Sequence, residues 1–157
     1  MSMKINKDLL PIITKNDLPD IVSCIRIYLT SQYSYKSKNR QELSLTGTRS
    51  TPIGNLTLNN GKVRVGKNIS YVFAYGQVYF YTGSNHTDGK LAWILKNGSA
   101  ESSCHVREGY NYIHVNTAAL IPVQEGDIIS LGATNDKDVD TVIKDGVVDT
   151  FLSVIGF

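Results

Sequence analysis

The sequence predicts an all-β fold, an antiparallel β-sandwich or jelly roll, on three observations. Short segments rich in Val, Ile, Leu, Tyr and Thr follow one another from Ile21 to Phe157. They are separated by Asn59-Asn-Gly61, Gly83-Ser-Asn85, Asn97-Gly98, Glu108-Gly109 and Glu125-Gly126, residues that tolerate the positive φ angles of tight turns. Helical periodicity is absent throughout. Many short strands spaced by such turns are the pattern of a sandwich or jelly roll.

Taken in order, residues 1–20 carry a weak apolar cluster, Leu9-Leu-Pro-Ile-Ile13, then Asn16-Asp-Leu-Pro-Asp20, where prolines prevent a sustained helix. They read as an extended arm or connector ahead of a sandwich domain spanning 21–157. Strands are expected at Ile21 to Leu29, Glu42 to Leu45, Asn55 to Leu58, Lys62 to Val65, Ser70 to Tyr81 and Lys90 to Lys96. Further strands follow at Ser102 to Arg107, Tyr110 to Thr117, Asp127 to Ala133 and Thr150 to Phe157. The polar, basic stretch Ser31 to Arg40 is expected in an exposed loop or at an edge.

Tyr71 to Tyr81 is the most informative strand. Side chains alternate between faces, so Val72, Ala74, Gly76, Val78 and Phe80 share one side, which suits a tight interior. Tyr71, Phe73, Tyr75, Gln77, Tyr79 and Tyr81 share the other, a broad amphipathic surface of the kind subunit interfaces favour. It reads as an oligomer surface; a central strand covered on both faces within one subunit has the same periodicity.

At 157 residues the chain fits one domain, with enough buried surface for stability without staples. A net charge of +2 and no Lys/Arg cluster interleaved with aromatics argue against nucleic acid as a partner. No apolar run approaches the roughly 20 residues that span a bilayer, so neither membrane insertion nor a secretory signal is expected. Cys24 and Cys104 are too few for a disulfide scaffold and read as buried free thiols, although one long-range bridge stays open. The sequons at Asn55, Asn68, Asn85 and Asn97 read as turn residues.

Chemistry-bearing constellations are sparse. Cys104 and His105 are adjacent in a strand and point to opposite faces, which makes joint metal ligation awkward. Asp136, Asp138 and Asp140 would share one side of an extended segment and could offer oxygen ligands to calcium, with a solvated acidic loop as the alternative; the EF-hand pattern fails. No spacing favours a catalytic pair among the carboxylates, and no cofactor and no enzymatic activity are expected.

The order of segments resembles the C1q/TNF-like jelly roll. The resemblance rests on Gly54-Asn-Leu-Thr-Leu58, Gly61-Lys-Val-Arg-Val-Gly66, the Tyr-rich strand, and Ala92-Trp-Ile-Leu-Lys-Asn-Gly98. It continues through Ile121-Pro-Val-Gln-Glu-Gly-Asp-Ile-Ile-Ser-Leu131 and the terminal Thr150-Phe-Leu-Ser-Val-Ile-Gly-Phe157. It covers roughly Cys24 to Phe157, and the wording is closest to tail and baseplate proteins of bacteriophages and prophages of Gram-positive bacteria. The resemblance implies a homotrimer about a threefold axis, with Tyr71, Phe73, Tyr75, Tyr79, Tyr112, His114, Phe151 and Phe157 at the interface. Three imidazoles of His114 would gather there, able to surround a water, anion or metal and to respond to pH.

The function implied is a non-enzymatic tail or baseplate protein. It would attach to a host cell-surface glycan, partner other tail proteins, and act outside the cell after assembly in the bacterial cytoplasm. Tyr33, Tyr35, His86 and Asp88 are the expected sugar contacts, since aromatic and polar loop residues stack on and hydrogen-bond to sugars. A purely structural virion protein (plug, spike or decoration) and a bacterial C1q-like surface module are the alternatives, the latter without its usual Gly-X-Y stalk in this chain.

Overall fold

Period-two patterning divides the strands between two packed sheets. The computed structural model describes residues 23–35, 38–82, 89–107, 111–136 and 141–157, with the backbone alone of Tyr33 and Tyr35. Its strands are β1 (Ser23–Tyr28), β2 (Tyr33–Tyr35), β3 (Gln41–Glu42), β4 (Gly47–Thr48), β5 (Leu56–Asn59), β6 (Lys62–Val65) and β7 (Tyr71–Tyr81). They continue with β8 (Gly89–Lys96), β9 (Ser99–Arg107), β10 (Tyr112–Pro122), β11 (Ile128–Asn135), β12 (Thr141–Ile143) and β13 (Phe151–Gly156). Among the described residues there is no helix.

Every pairing is antiparallel. One sheet runs β4-β1-β13-β7-β10, with β12 following β13 along the same edge of β7 and β2 paired to β12. The other runs β5-β6-β11-β8-β9, with β3 on β11. We call them the first and second sheets. The result is an antiparallel two-sheet β-sandwich, the class the sequence predicts.

Two Asn-Gly turns fix the hairpins of the second sheet. Asn60 and Gly61 have φ of 49° and 74°, and Asn97 and Gly98 of 51° and 81°. Two central residues at positive φ give the turn whose twist matches the flanking strands. Asn59 therefore faces Lys62, and Lys96 faces Ser99.

Val72, Ala74, Val78 and Phe80 of β7, Ile25 and Ile27 of β1, and Leu152 and Val154 of β13 are buried on the inner side of the first sheet. Val63, Ala92, Ile94, Ile129, Leu131 and Ala133 meet them from the second. The sheets are tightly apposed at Gly76, where an added Cβ would run into the Leu131 side chain and lie 3.1 Å from Ile94 Cδ1. Glycine here is a packing requirement, not a conformational one.

Asn97 also ties the β8–β9 turn to the β10–β11 turn. Its Nδ2 donates to Asp127 Oδ1 at 2.8 Å, and Ile128 N donates to its Oδ1 at 2.8 Å. Gln124 N donates to Asp127 Oδ2 at 3.0 Å. Burial alone pushes the Asp127 carboxyl up, but the hydrogen bonds from Asn97 and Gln124 and the charge of Lys96 outweigh it and hold the group below the usual carboxylate range.

The structure corrects several boundaries. β10 runs to Pro122 rather than stopping near Thr117, because Ala118 to Ile121 keep their register against β7. β9 begins at Ser99, three positions earlier than expected. Beyond Glu42, Leu43 and Leu45 are buried and bonded through their N–H groups to Leu131 O and Gly61 O without extending β3. β2, β4 and β12 are too short to show an alternation. Cys24 and Cys104 are free but half-buried rather than buried. The expected arm, 1–20, lies outside the described residues.

Gly76→Ala is expected to lower stability by about 1–3 kcal/mol through overpacking, read from the urea unfolding midpoint. Because the folded Asp127 carboxyl is depressed, its contribution is complete above the unfolded value of about 3.9 and is lost as pH falls through the lower folded value. Unfolding profiles from pH 6 to pH 2 should therefore show a smaller acid loss in Asp127→Asn than in the natural chain; identical slopes would refute the assignment.

Candidate assembly face

The outer side of the first sheet is ordered in rows set by strand register. Leu120 of β10 lies opposite Phe73, Phe73 opposite Ile155, and Ile155 opposite Cys24, which bridges to Ile53. Leu120, Phe73, Ile155 and Ile53 are all exposed, at 62%, 42%, 40% and 53%. The sheet is thus crossed by a row of apolar side chains, four of them exposed among the described residues. Tyr71 and Phe157 continue this surface, stacked at 6.4 Å between ring centroids and both exposed. Contiguous exposed apolar patches are the feature by which interaction surfaces are ordinarily recognised.

The next row is Ala118, Tyr75, Ser153 and Arg26. Arg26 Nε donates to Ser153 Oγ at 2.8 Å, and its guanidinium lies 3.8 Å above the Phe151 ring. Tyr75 packs on the same ring at 5.7 Å, and its hydroxyl donates to Asn116 Oδ1 at 3.1 Å.

Toward the far end of β7 the surface becomes polar. Tyr79 stacks on His114 at 4.0 Å and meets Tyr112 in a tilted pair at 6.1 Å, and Tyr112 stacks on Tyr81 at 4.8 Å. Lys144 Nζ lies 5.2 Å over Tyr81. Gln77 Nε2 donates to Val148 O at 2.6 Å and Asp149 O at 3.0 Å, and it lies 3.0 Å from His114 Nδ1. Two carbonyls fix which end of the amide faces them. Burial, then Tyr112 and Asp149, push the Tyr79 hydroxyl up.

All eight residues expected at an interface lie on this one face. Tyr71, Phe73, Tyr112, His114 and Phe157 are exposed, and Tyr75 and Tyr79 are half-covered by neighbours on the sheet. Phe151 differs: at 4% exposure it is closed over by Arg26 and Tyr75 inside the subunit. The sequence reading omitted Leu120, Ile155, Ile53 and Arg26. Leu120 lay past the expected end of its strand. Ile155 and Arg26 could have been found from the alternation of their strands, whereas Ile53 sits in a segment that reads as a turn.

Of the expected sugar contacts, Tyr33 and Tyr35 have their backbone in β2, paired to Ile143 and Thr141, and their side chains lie outside the described residues. His86 and Asp88 lie outside as well. Of the expected calcium ligands, Asp138 and Asp140 lie outside, and Asp136 is engaged otherwise. Its Oδ1 accepts from Gly89 N at 2.6 Å and its Oδ2 from Arg107 at 2.8 Å. Among the described residues no three His, Cys, Asp or Glu side chains gather as a metal site would. Glu42, which lines surface grooves near β3, is paired to Lys62 and accepts from Ser130 Oγ at 2.7 Å.

Exposure separates two kinds of residue on this face. Phe151→Ala is expected to cost about 3–5 kcal/mol, as a core truncation does. Leu120→Ala should stay within about 0.5 kcal/mol, as surface changes do, when the isolated subunit is unfolded in urea.

No family model matches the chain, and no curated protein matches it in sequence. In fold it is similar to murine APRIL at pH 8.0, with a TM-score of 0.61 and 17% identity over 87% of this chain and 100% of that one. It is also similar to Eiger TNF from S. frugiperda, with a TM-score of 0.60 and 12% identity over 87% of this chain and 92% of that one. At such identities the likeness carries the fold alone, a TNF-like jelly roll.

Proposed function

We propose that this chain is a non-enzymatic binding protein that works as a homotrimer, joined through the outer side of the first sheet. The observation that carries the reading is the exposed row Leu120, Phe73, Ile155 and Ile53 beside the stacked Tyr71 and Phe157. Covering that surface with another copy removes apolar area from water at about 25 cal/mol per Å². A threefold arrangement follows from the C1q/TNF-like resemblance of the segment order, and it gives the aromatic face of β7 its partner.

The finer reading also comes from that segment order. It is attachment of a phage or prophage tail or baseplate to a host cell-surface glycan, with action in the virion. Three weak sites held together multiply avidity without one tight contact, which suits a carbohydrate ligand. The residues proposed for sugar contact are Tyr33, Tyr35, His86 and Asp88, with other tail or baseplate proteins as assembly partners.

Light scattering behind a sizing column is expected to give three times the 17.3 kDa of the chain. Leu120→Asp should convert the trimer to a monomer that unfolds at nearly the same urea concentration. A natural chain that elutes as a monomer would overturn the assembly reading. The trimer is then expected to bind cell-wall glycans on an array, with binding lost in Tyr33→Ala/Tyr35→Ala; a trimer that binds none would make the protein structural.

A further inference from the structure

Arg26 and Arg49 stand across from each other at one margin of the assembly face. Arg49 N donates to Arg26 O at 3.1 Å, one step beyond the β1–β4 pairs Ile27 with Thr48 and Tyr28 with Gly47. Like charges set opposite each other destabilise a sheet. Among the described residues the ion pairs are Lys62 with Glu42 and Arg107 with Asp136, so neither arginine meets a carboxylate there.

Arg26 is also held in orientation. Its Nε is committed to Ser153 Oγ and its plane rests on Phe151, which leaves both terminal nitrogens for a partner. A guanidinium fixed in this way takes a carboxylate through two parallel hydrogen bonds. Burial first, and then the charge of Arg49, push Arg26 below its ordinary range, with Tyr75 acting the other way. Two positive charges therefore sit between the apolar row and the Phe151 ring. Covering them with another copy that brought no negative charge would bury unpaired cations.

We propose that the Arg26–Arg49 pair receives the carboxylate of Glu101 from the neighbouring copy, an inference that rests on the assembly reading above. In a threefold ring the contact is heterologous, so one margin of a subunit meets a different margin of the next. The arginines lie on the β1/β4 margin, and the opposite margin of the sheet is β10. There β9 lies across the sandwich from β10, joined by a hydrogen bond of 3.0 Å between Ser102 Oγ and Thr117 Oγ1. Glu101 is the residue before Ser102 and is exposed. The other carboxylates among the described residues are engaged, as in Glu42, Asp127 and Asp136, or sit outside the strands, as in Glu125, Asp145 and Asp149.

The test is charge exchange in the full chain, with mass followed by light scattering across a dilution series at about 0.15 M salt. E101R, at an exposed position, and R26E/R49E are each expected to raise the apparent dissociation constant of the assembly at least about a hundredfold. Combining all three changes should restore it to within about tenfold of the natural chain, and thermal unfolding of E101R checks that the subunit stays folded. An E101R protein that assembles as the natural chain does overturns the proposal, as does a combined variant no better than R26E/R49E. If inorganic phosphate strengthens the assembly while E101R is harmless, the pair takes a free anion and Glu101 is not its partner. A natural chain that is monomeric throughout is a separate result, visible before any variant is made, and removes the assembly reading itself.

Discussion

The structure depends on β7 being packed tightly on its inner face and bonded along both edges. Its inner residues must be small enough for two sheets to meet, and Gly76 is the limit of that demand, since a methyl there enters space held by Leu131. Its outer residues are rings that the subunit only partly covers. Both edges are bonded, β10 on one and β13 then β12 on the other. The register of the strand therefore sets where each outer ring stands on the sheet.

That surface changes character along β7. Near Phe73 it is apolar and exposed, whereas near Phe151 and Arg26 it is already satisfied within the subunit. Around Gln77 and His114 it is a hydrogen-bonded network that also pins the backbone at Val148 and Asp149. Burial energy is available chiefly at the first end, while the middle and far end offer directional contacts. Affinity and orientation would thus come from different rows of one sheet.

Most of the fold was legible in the sequence because the information was local. Period-two alternation placed β7 within one residue, and the Asn60-Gly61 and Asn97-Gly98 turns named two hairpins through their positive φ. β4 and β12 escaped because strands of two or three residues are made by long-range pairing, which alternation cannot report, whereas β2 lies at a sheet edge within the stretch expected as a loop or an edge. The aromatic face was also legible, since its residues alternate along single strands. The row Leu120, Phe73, Ile155, Cys24 and Ile53 was not, because its members come from separate segments and only register aligns them. Phe151 shows the converse: alternation gives its face correctly, but the cover supplied by Arg26 lies more than a hundred residues away.

If the chain assembles as proposed, the edge of β10 that is unpaired among the described residues bears on the time before it meets another copy. From Tyr112 to Pro122 this strand pairs only with β7 among the described residues, and it carries no lysine or bulge there, while Leu120 projects beside it. Proteins ordinarily guard such edges with charge, irregularity or cover, because an open row of amides recruits other strands indiscriminately. A lone subunit is in that sense an unfinished object, prone to sticking to whatever β-structure is nearby. Its yield on synthesis would then be governed by a race between correct encounter and aggregation, and chain concentration and temperature would act on the two outcomes unequally.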